Sequence, residues 1–297
     1  MARRIRLNGA RKPFRAPFRR GLLPAIAALA VACGGLTAAA HRGDDPAPAP
    51  RAMWLWHQAA PARVVTWATA QGVDEIFAYV SGSPTGAELA RLRELKRRCD
   101  RARIRLAALG GEPEWAFDHA AALNWQRTAL RTGLFAATHV DVEPYALPEW
   151  KTDRPRTVAA YTDLLAAMAN ADRRPLEADV PFWYETVRTA NGATLADAVL
   201  THADAVTVMS YRDTATGPGS ILAVGTDMLE RGARAGRPVR LAAETAPLPD
   251  CPACTFREEG RRALEAALAR VDAAAAGRPS YRGIAVHDHR SWTALRP

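Results

Sequence analysis

Cysteine is scarce in this sequence, with four residues in 297. Two of them, Cys251 and Cys254, form the motif CPAC in a proline-rich segment, and no second Cys/His pair at zinc-like spacing accompanies them. The pair therefore predicts a loop-closing disulfide in an oxidising compartment, with a redox pair or half of a metal site as the alternatives. Cys99 is expected to be a buried free thiol.

Long apolar runs and a glycine-rich nucleotide loop are also lacking. The run GLLPAIAALAVA at 21–32 is too short to span a bilayer comfortably and has the length of a signal-peptide core. A doubly wound sheet usually carries a glycine-rich first turn, and none follows a strand-like segment here. We therefore expect neither a cofactor nor a bound metal.

Acidic residues are absent from the first forty positions, which carry eight basic ones. This composition predicts an export signal over residues 1–40, and FRRGLL at 18–23 resembles a twin-arginine motif. Two processing sites compete: AVAC, ending at Cys33, resembles a lipobox, and AAA at 38–40 resembles an ordinary cleavage site. The chain is thus expected to be either a cell-surface lipoprotein, with the lipid on Cys33, or a secreted protein.

The net charge of +9 belongs to this leader. Without the leader's eight basic residues, 32 basic residues face 31 acidic ones. The remaining chain therefore has no phosphate-binding character, and nucleic acid is excluded as a partner. Residues 41–51, HRGDDPAPAPR, read as a Pro/Ala-rich tether, and 52–297 as one domain that we expect to be monomeric.

Short β-like runs alternate with longer helical ones throughout this domain, which predicts a single (β/α)₈ TIM barrel, an α/β fold. The predicted strands are 52–56, 75–80, 104–109, 137–143, 176–182, 205–211, 239–244 and 283–289. The predicted helices are 61–71, 84–101, 117–131, 156–171, 193–202, 217–235 and 256–276.

Acids and aromatic residues gather where the predicted strands end. In a TIM barrel these ends carry the active site, and aromatic faces beside carboxylates suit the stacking and hydrogen bonding of sugars. We therefore expect a carbohydrate partner. The protein itself is expected to contact the membrane only through the leader or a lipid on Cys33. The predicted ligand-contacting residues are Trp54, Trp56, Tyr79, Tyr145, Asp179, Trp183, Asp213, His287 and His289.

The segment THVDVEPYALPEW at 138–150 places His139, Asp141 and Glu143 on alternate positions. In a β-strand the three side chains would share one face. Two neighbouring acids in a protein interior raise each other's pKa and can share a proton. Glu143 is the best candidate for the acid that protonates a leaving glycosidic oxygen. The alternative is an Asp–Glu pair held by arginines or capping the next helix.

Two motifs resemble signatures of chitinase-like glycoside hydrolases: DVE at 141–143 and VMSYRD at 208–213. With VDVEPYALPEW, VTVMSYRD, AAETAP and GIAVHDHRSW, the chain also resembles uncharacterised bacterial exported proteins of glycoside-hydrolase-type barrel. The chitinase resemblance implies that Glu143 is the general acid. It further implies that Asp141 orients an N-acetyl group that attacks the sugar carbon, and that Tyr211 supports the intermediate. His139 stands where that group has a further Asp.

A second layout pairs Glu143 with Glu244. Many retaining glycosidases place the acid/base after strand four and the nucleophile after strand seven, and these two glutamates take those positions, with Val142 where Asn is usual. The carboxyl separation would distinguish retention from inversion.

Three functions follow from these residues. The first is an exported glycoside hydrolase acting on an extracellular or cell-envelope glycan, and the second is a non-catalytic glycan-binding protein on the same barrel. The third is a metal-dependent deacetylase or hydrolase built on His287, His289 and Asp141.

Overall fold

The computed structural model describes residues 49–297, and they form a closed barrel of eight parallel strands in sequential order. This confirms the predicted (β/α)₈ fold. The predictions for the leader, for residues 41–48 of the tether and for Cys33 lie outside the described residues. Of the helices that the structure describes, none is long and apolar enough to cross a membrane.

All eight predicted strands are present. Their bounds are β1 Arg51–Leu55, β2 Glu75–Tyr79, β3 Arg105–Gly110, β4 Ala137–Val140, β5 Leu176–Pro181, β6 Ala205–Met209, β7 Val239–Glu244 and β8 Tyr281–His287. The fourth strand was predicted to continue to 143, but its ladder ends at Val140 because Pro144 opens a 3₁₀ turn over Pro144–Ala146.

Every predicted helix is present within a few residues of its expected bounds. The α-helices within residues 49–297 are α1 Pro61–Ala70, α2 Gly86–Ala102, α3 His119–Arg131, α4 Glu149–Thr152, α5 Arg154–Ala171, α6 Leu195–His202, α7 Ile221–Ala235, α8 Arg261–Ala275 and α9 His289–Thr293. The two short ones, α4 and α9, were not expected. The side chains of Asp118, Asp153, Thr194 and Ser220 cap α3, α5, α6 and α7 through backbone N–H groups.

Side chains alternate between two environments along each strand. In β1, Met53 and Leu55 pack into the layer between barrel and helices, whereas Ala52 and Trp54 pack inside the barrel. The alternation follows from the two-residue period of a strand. It directs the odd-numbered residues of β2 and β4 towards the barrel axis.

Four charged residues close the end of the barrel where the strands begin. Arg105 contacts Glu75 and Glu177, and Arg240 contacts the same two carboxylates. Glu75, Glu177 and Arg240 are buried, so each charge depends on its partners to offset the cost of desolvation. These four residues form a charged ring that closes this end of the barrel. The open end is therefore the opposite one, where the strands finish.

The disulfide Cys251–Cys254 is formed, with Cα atoms 5.3 Å apart. Cys99 is a buried free thiol, and burial raises its pKa to about 12. A thiol in that state is inert at neutral pH.

Candidate active site

Asp141 and Glu143 lie just beyond β4, at the open end of the barrel. The amide of Asp141 donates to the carbonyl of Gly110 at 3.0 Å, which continues the pairing with β3 past the end of the strand. Gly111 runs against the same backbone so closely that a Cβ there would collide with the carbonyl of Asp141. The position of the two acids is therefore set by backbone contacts between neighbouring strands.

A buried hydrogen-bonded group underlies the acids. Asp179 accepts from Trp54 Nε1 at 2.9 Å and bonds His139 Nε2 at 2.8 Å, one partner for each carboxylate oxygen. Trp54 is 1% exposed and Asp179 2%. Both residues were predicted to contact a ligand; in the structure both are buried and hydrogen-bonded to each other, and that prediction is untested.

His139 is fully buried and lies between two carboxylates. Its Nδ1 is 3.4 Å from Glu177, and its ring stacks on Phe77 with centroids 3.6 Å apart. Burial alone would lower the pKa of His139, but the charges and hydrogen bonds of Asp179 and Glu177 outweigh it and raise the pKa to about 9. The charged imidazole of His139 thus contacts Asp179, near the acids of the open end, and Glu177, one of the four charged residues that close the other end.

Asp141 and Glu143 both have raised pKa values. Burial raises the pKa of Asp141 well above its ordinary range, and the charges of Asp179 and Glu143 raise it further. Burial also raises the pKa of Glu143, whereas a hydrogen bond from the Tyr145 hydroxyl lowers it. The Oδ1 atom of Asp141 is buried without a partner among the described residues. The pair therefore holds protons more tightly than ordinary carboxyls do.

Glu244 is bonded on both oxygens. Its Oε1 accepts from the amides of Thr245 and Ala246, each at 2.7 Å, and its Oε2 lies 2.8 Å from His287 Nδ1. These contacts favour a role in holding the imidazole over attack on a sugar, and the nucleophile role stays a prediction.

His287 connects Glu244 to the aromatic wall of the opening. Burial lowers its pKa, but the hydrogen bond and charge of Glu244 raise the pKa to about 9. Trp56 Nε1 lies 3.1 Å from His287 Nε2. An indole N–H can only donate, so this contact is a hydrogen bond only while Nε2 carries no proton. In the imidazolium form, Nε2–H would face the indole N–H, so Trp56 or the imidazole must turn before Nε2–H can reach a ligand oxygen.

Aromatic rings line the opening in a row. The ring of Tyr79 lies 6.0 Å from Trp56, and Tyr211 lies 6.2 Å from His287. Burial raises the pKa of Tyr211 well above its ordinary range, so its hydroxyl stays protonated. Tyr79 at one end of the row lines one cavity, and Tyr211 at the other end lines a second.

The first cavity, about 390 Å³, is the Tyr79 cleft. Its polar and aromatic lining residues are Tyr79, Ser83, Glu112, Trp115, Asn124 and Trp125. The second, about 360 Å³, is the Trp183 cleft, which is lined by Glu143, Tyr145, Phe182, Trp183, Tyr211 and the loop that carries the disulfide. Glu143 is the one acid of the pair that reaches a cleft.

Two predicted residues lie elsewhere. Asp213 is half-buried in the loop after β6, where its amide donates to the carbonyl of Ala253 at 3.0 Å. His289 is 7% exposed and pairs with His57, away from His287. Strand alternation led to the expectation that the two histidines share a face, and this is wrong because α9 begins at His289. The same placement removes the proposed His287, His289 and Asp141 ligand set.

Metal-binding geometry is absent from the part of the chain that the structure describes. No group of three or more His, Cys, Asp or Glu side chains between residues 49 and 297 is placed to hold an ion.

Glu112 and Trp115 line the Tyr79 cleft, and Phe182 lines the Trp183 cleft. All three belong to the acids and aromatic residues that gather where the predicted strands end. Asn124, which also lines the Tyr79 cleft, was missed. It lies within α3, away from any strand end, and no sequence signal distinguishes it from the other polar residues of that helix.

No protein-family model matches the chain, and no curated protein matches its sequence. Among solved structures, the spore cortex-lytic enzyme SleL of Bacillus megaterium QM B1551 is 12% identical with a TM-score of 0.51, covering 80% of this chain and 70% of that one. A chitinase from Chromobacterium violaceum ATCC 12472 is 14% identical with a TM-score of 0.50, covering 83% and 97%.

The SleL of Bacillus cereus is more distant. It is 10% identical with a TM-score of 0.46. The match covers 67% of this chain and 51% of that protein, so this chain spans about half of its length. At these identities the likeness concerns the fold. The barrel is similar in fold to glycoside-hydrolase TIM barrels, and the sequence motifs had indicated this distant resemblance.

Proposed function

We propose that this chain is a glycoside hydrolase that acts on an extracellular or cell-envelope glycan, with Glu143 as the general acid. The observation that carries the proposal is the position of Glu143. It lies at the open end of a TIM barrel, has a raised pKa and lines a cleft whose walls include aromatic rings. A general acid for glycosidic cleavage needs this combination of a retained proton and access to the sugar.

Each neighbouring group has a place in the reaction. Glu143 donates its proton to the leaving oxygen, and the Tyr145 hydroxyl then stabilises the carboxylate that forms. The imidazolium of His287, held by Glu244, donates Nε2–H to a sugar oxygen once the Trp56 indole has turned away from Nε2. The aromatic rings of Trp56, Tyr79 and Trp183 provide stacking surfaces for sugar rings.

The two layouts differ in the nucleophile that attacks the sugar carbon when the glycosidic bond breaks. In the substrate-assisted layout, Asp141 orients an N-acetyl group of the substrate, and its raised pKa supports a protonated carboxyl that donates to that group. In the other layout, Glu244 attacks directly. The three bonds that Glu244 already accepts support the first layout.

The test compares the barrel domain, residues 41–297, with its Glu143→Gln variant on bacterial envelope and extracellular glycans. Hydrolysis is expected from the wild type, with kcat lower by at least about a hundredfold in the variant. The control is Glu149→Gln, a half-buried glutamate six residues further along in α4. Equal hydrolysis by the wild type and the Glu143 variant would refute the assignment.

A second candidate is a non-catalytic glycan-binding protein, and one observation favours it. His139 stands where the chitinase-like pattern has an Asp, and it bonds Asp179, leaving Asp141 without a partner on Oδ1. Under this candidate, the wild type and Glu143→Gln would bind the same glycans with equal affinity and neither would release products.

We further propose that the protein is exported and reaches the cell surface or the medium. The acid-free, arginine-rich start and the apolar run at 21–32 support this. Expression of the full chain and of Cys33→Ser distinguishes the two forms. A lipoprotein would label with a radioactive fatty acid and lose the label in Cys33→Ser, whereas a secreted protein would begin near Ala40 in both. Retention of the unprocessed chain in the cytoplasm would refute export.

A further inference from the structure

The largest of the cavities described here, about 570 Å³, lies outside the site just described. It is lined by residues of the segment after β1, of α1 and of α9, including His57, Arg63, Trp67, His289 and Arg290. His57 directly follows Trp56, and His289 lies two residues after His287. The cavity is therefore linked through the backbone to the aromatic wall of the opening.

The groups around this cavity are mainly hydrogen-bond donors. Arg63 and Arg290 make no ion pair with any carboxylate in residues 49–297, and both are exposed. The indole Nε1 of Trp67 and the Nδ1 of His57 are buried there without a partner. A buried N–H without an acceptor costs free energy, as at Trp67 Nε1. His57 Nδ1 is a second such donor in the tautomer whose Nε2 accepts from His289 Nδ1, and an anion in the cavity would supply the missing acceptors.

The two imidazoles are uncharged in this surrounding. Burial lowers the pKa of His57, and Arg290 and Arg91 lower it further against the opposing effect of Asp288. For His289, burial, His57 and Arg63 together lower the pKa to about 4. Each ring therefore keeps one N–H donor at neutral pH and adds no positive charge of its own.

Asp288 is the acid beside the imidazoles, and one of its two carboxylate oxygens is hydrogen-bonded. Its Oδ1 accepts from the amide and hydroxyl of Ser291 at the start of α9, and its Oδ2 lies 3.9 Å from His57 Nδ1, beyond hydrogen-bond distance. Arg91 also lies near His57, and Glu88, the acid that acts on Arg91, is bonded to Ser81. The cavity thus has an excess of positive charge and of free donors.

We propose that this cavity binds an anionic group, a carboxylate or a phosphate-type oxyanion, through Arg63, Arg290, His57 and Trp67. An anion satisfies the free donors and the unpaired guanidinium groups together, whereas a cation would be repelled by them. The group comes either from an acidic glycan, such as a uronic acid, or from a free oxyanion. The glycan source rests on the proposed function, whereas the binding site itself does not.

The test uses isothermal titration calorimetry on residues 41–297 with three probes: sodium sulfate, D-glucuronate and D-glucose, at constant ionic strength set with chloride. Sulfate and glucuronate are expected to bind in competition, and glucose is not expected to bind this cavity. The double variant Arg63→Gln/Arg290→Gln should weaken anion binding at least about tenfold. The matched control is Arg270→Gln, because Arg270 is exposed on α8 and lies outside the cavity lining.

Competition by glucuronate supports the glycan source, and binding of sulfate alone supports a free oxyanion. The site is disproved if no anion binds or if the double variant binds the anions as tightly as the wild type. Calorimetry requires no turnover, so anion binding without glycan hydrolysis would refute the proposed function and leave this site in place. Glycan hydrolysis without anion binding would refute this site and leave the proposed function in place.

Discussion

The Nδ1 atom of His287 lies 2.8 Å from Oε2 of Glu244, so that a histidine at the end of β8 is held by a glutamate at the end of β7. The two side chains come from adjacent strands, whose register pairs these very residues. The carboxylate raises the pKa of the imidazole, and the other ring nitrogen lies 3.1 Å from Trp56 Nε1. We therefore predict that Glu244 positions His287.

Glu244→Gln should lower the pKa of His287 from about 9, because the hydrogen bond and charge of Glu244 are the largest effects that oppose burial, while Asp288 and Asp141 continue to raise the pKa. Glutamine keeps an oxygen for the amides of Thr245 and Ala246. The pKa is measured from the pH dependence of the His287 imidazole NMR signals. As a control, Glu230→Gln on α7 should leave this titration unchanged. An unaltered pKa in Glu244→Gln would contradict the assignment.

Tyr145→Phe should shift the alkaline limb of the pH–rate profile to higher pH. The Tyr145 hydroxyl lowers the pKa of Glu143, so its loss lets the acid keep its proton to higher pH. The measurement is kcat/KM against pH on a glycan that the wild type hydrolyses. Tyr79→Phe, which lacks contact with Glu143, serves as the control. A limb that stays in place or shifts to lower pH would exclude the hydrogen bond as an influence on Glu143.

The free energy of unfolding should fall between pH 6.5 and about 9, in part through His139. Its pKa is higher in the folded protein, so the folded state binds the proton more tightly, and this stabilisation is complete below 6.5 and lost as pH rises through about 9. The pKa difference corresponds to about 3 kcal/mol. His139→Gln should remove this part of the pH dependence in urea unfolding, and His202→Gln should not. Parallel curves for His139→Gln and the wild type would contradict a charged His139.

Gly111→Ala should destabilise the fold by at least about 2 kcal/mol, because the added Cβ collides with the backbone of Asp141. Gly82→Ala is the matched control, since nothing lies within 4 Å of a Cβ there, and it should change stability by no more than about 0.5 kcal/mol. Urea unfolding of both variants gives the comparison. A tolerated alanine at 111 would mean that the β3 and β4 ends are not in close contact.

The barrel could be predicted from the sequence because its signals are local. Apolar runs of strand length alternate with helical segments at a spacing set by each βα unit, and caps such as Asp153 and Ser220 mark where helices begin. The alternation of His139, Asp141 and Glu143 also survived the shorter β4, because the amide of Asp141 still pairs with Gly110.

Contacts between distant strands could not be predicted. Asp179 was expected at a ligand, and in the structure Trp54, 125 positions earlier, and His139, 40 positions earlier, bond its two oxygens. His289 was expected beside His287, but the start of α9 places it against His57. No periodic pattern in one segment carries information about a partner in another.

Local sequence therefore specified the eight strands, their helices and the acids after β4, because propensity, capping and periodicity act over a few residues. The closure of the barrel determined the rest: which imidazole is charged, which carboxylate is bonded and which one reaches a cleft. These properties arise from burial and from neighbours brought together across the barrel, and desolvation and Coulomb interactions depend on distances in space rather than along the chain.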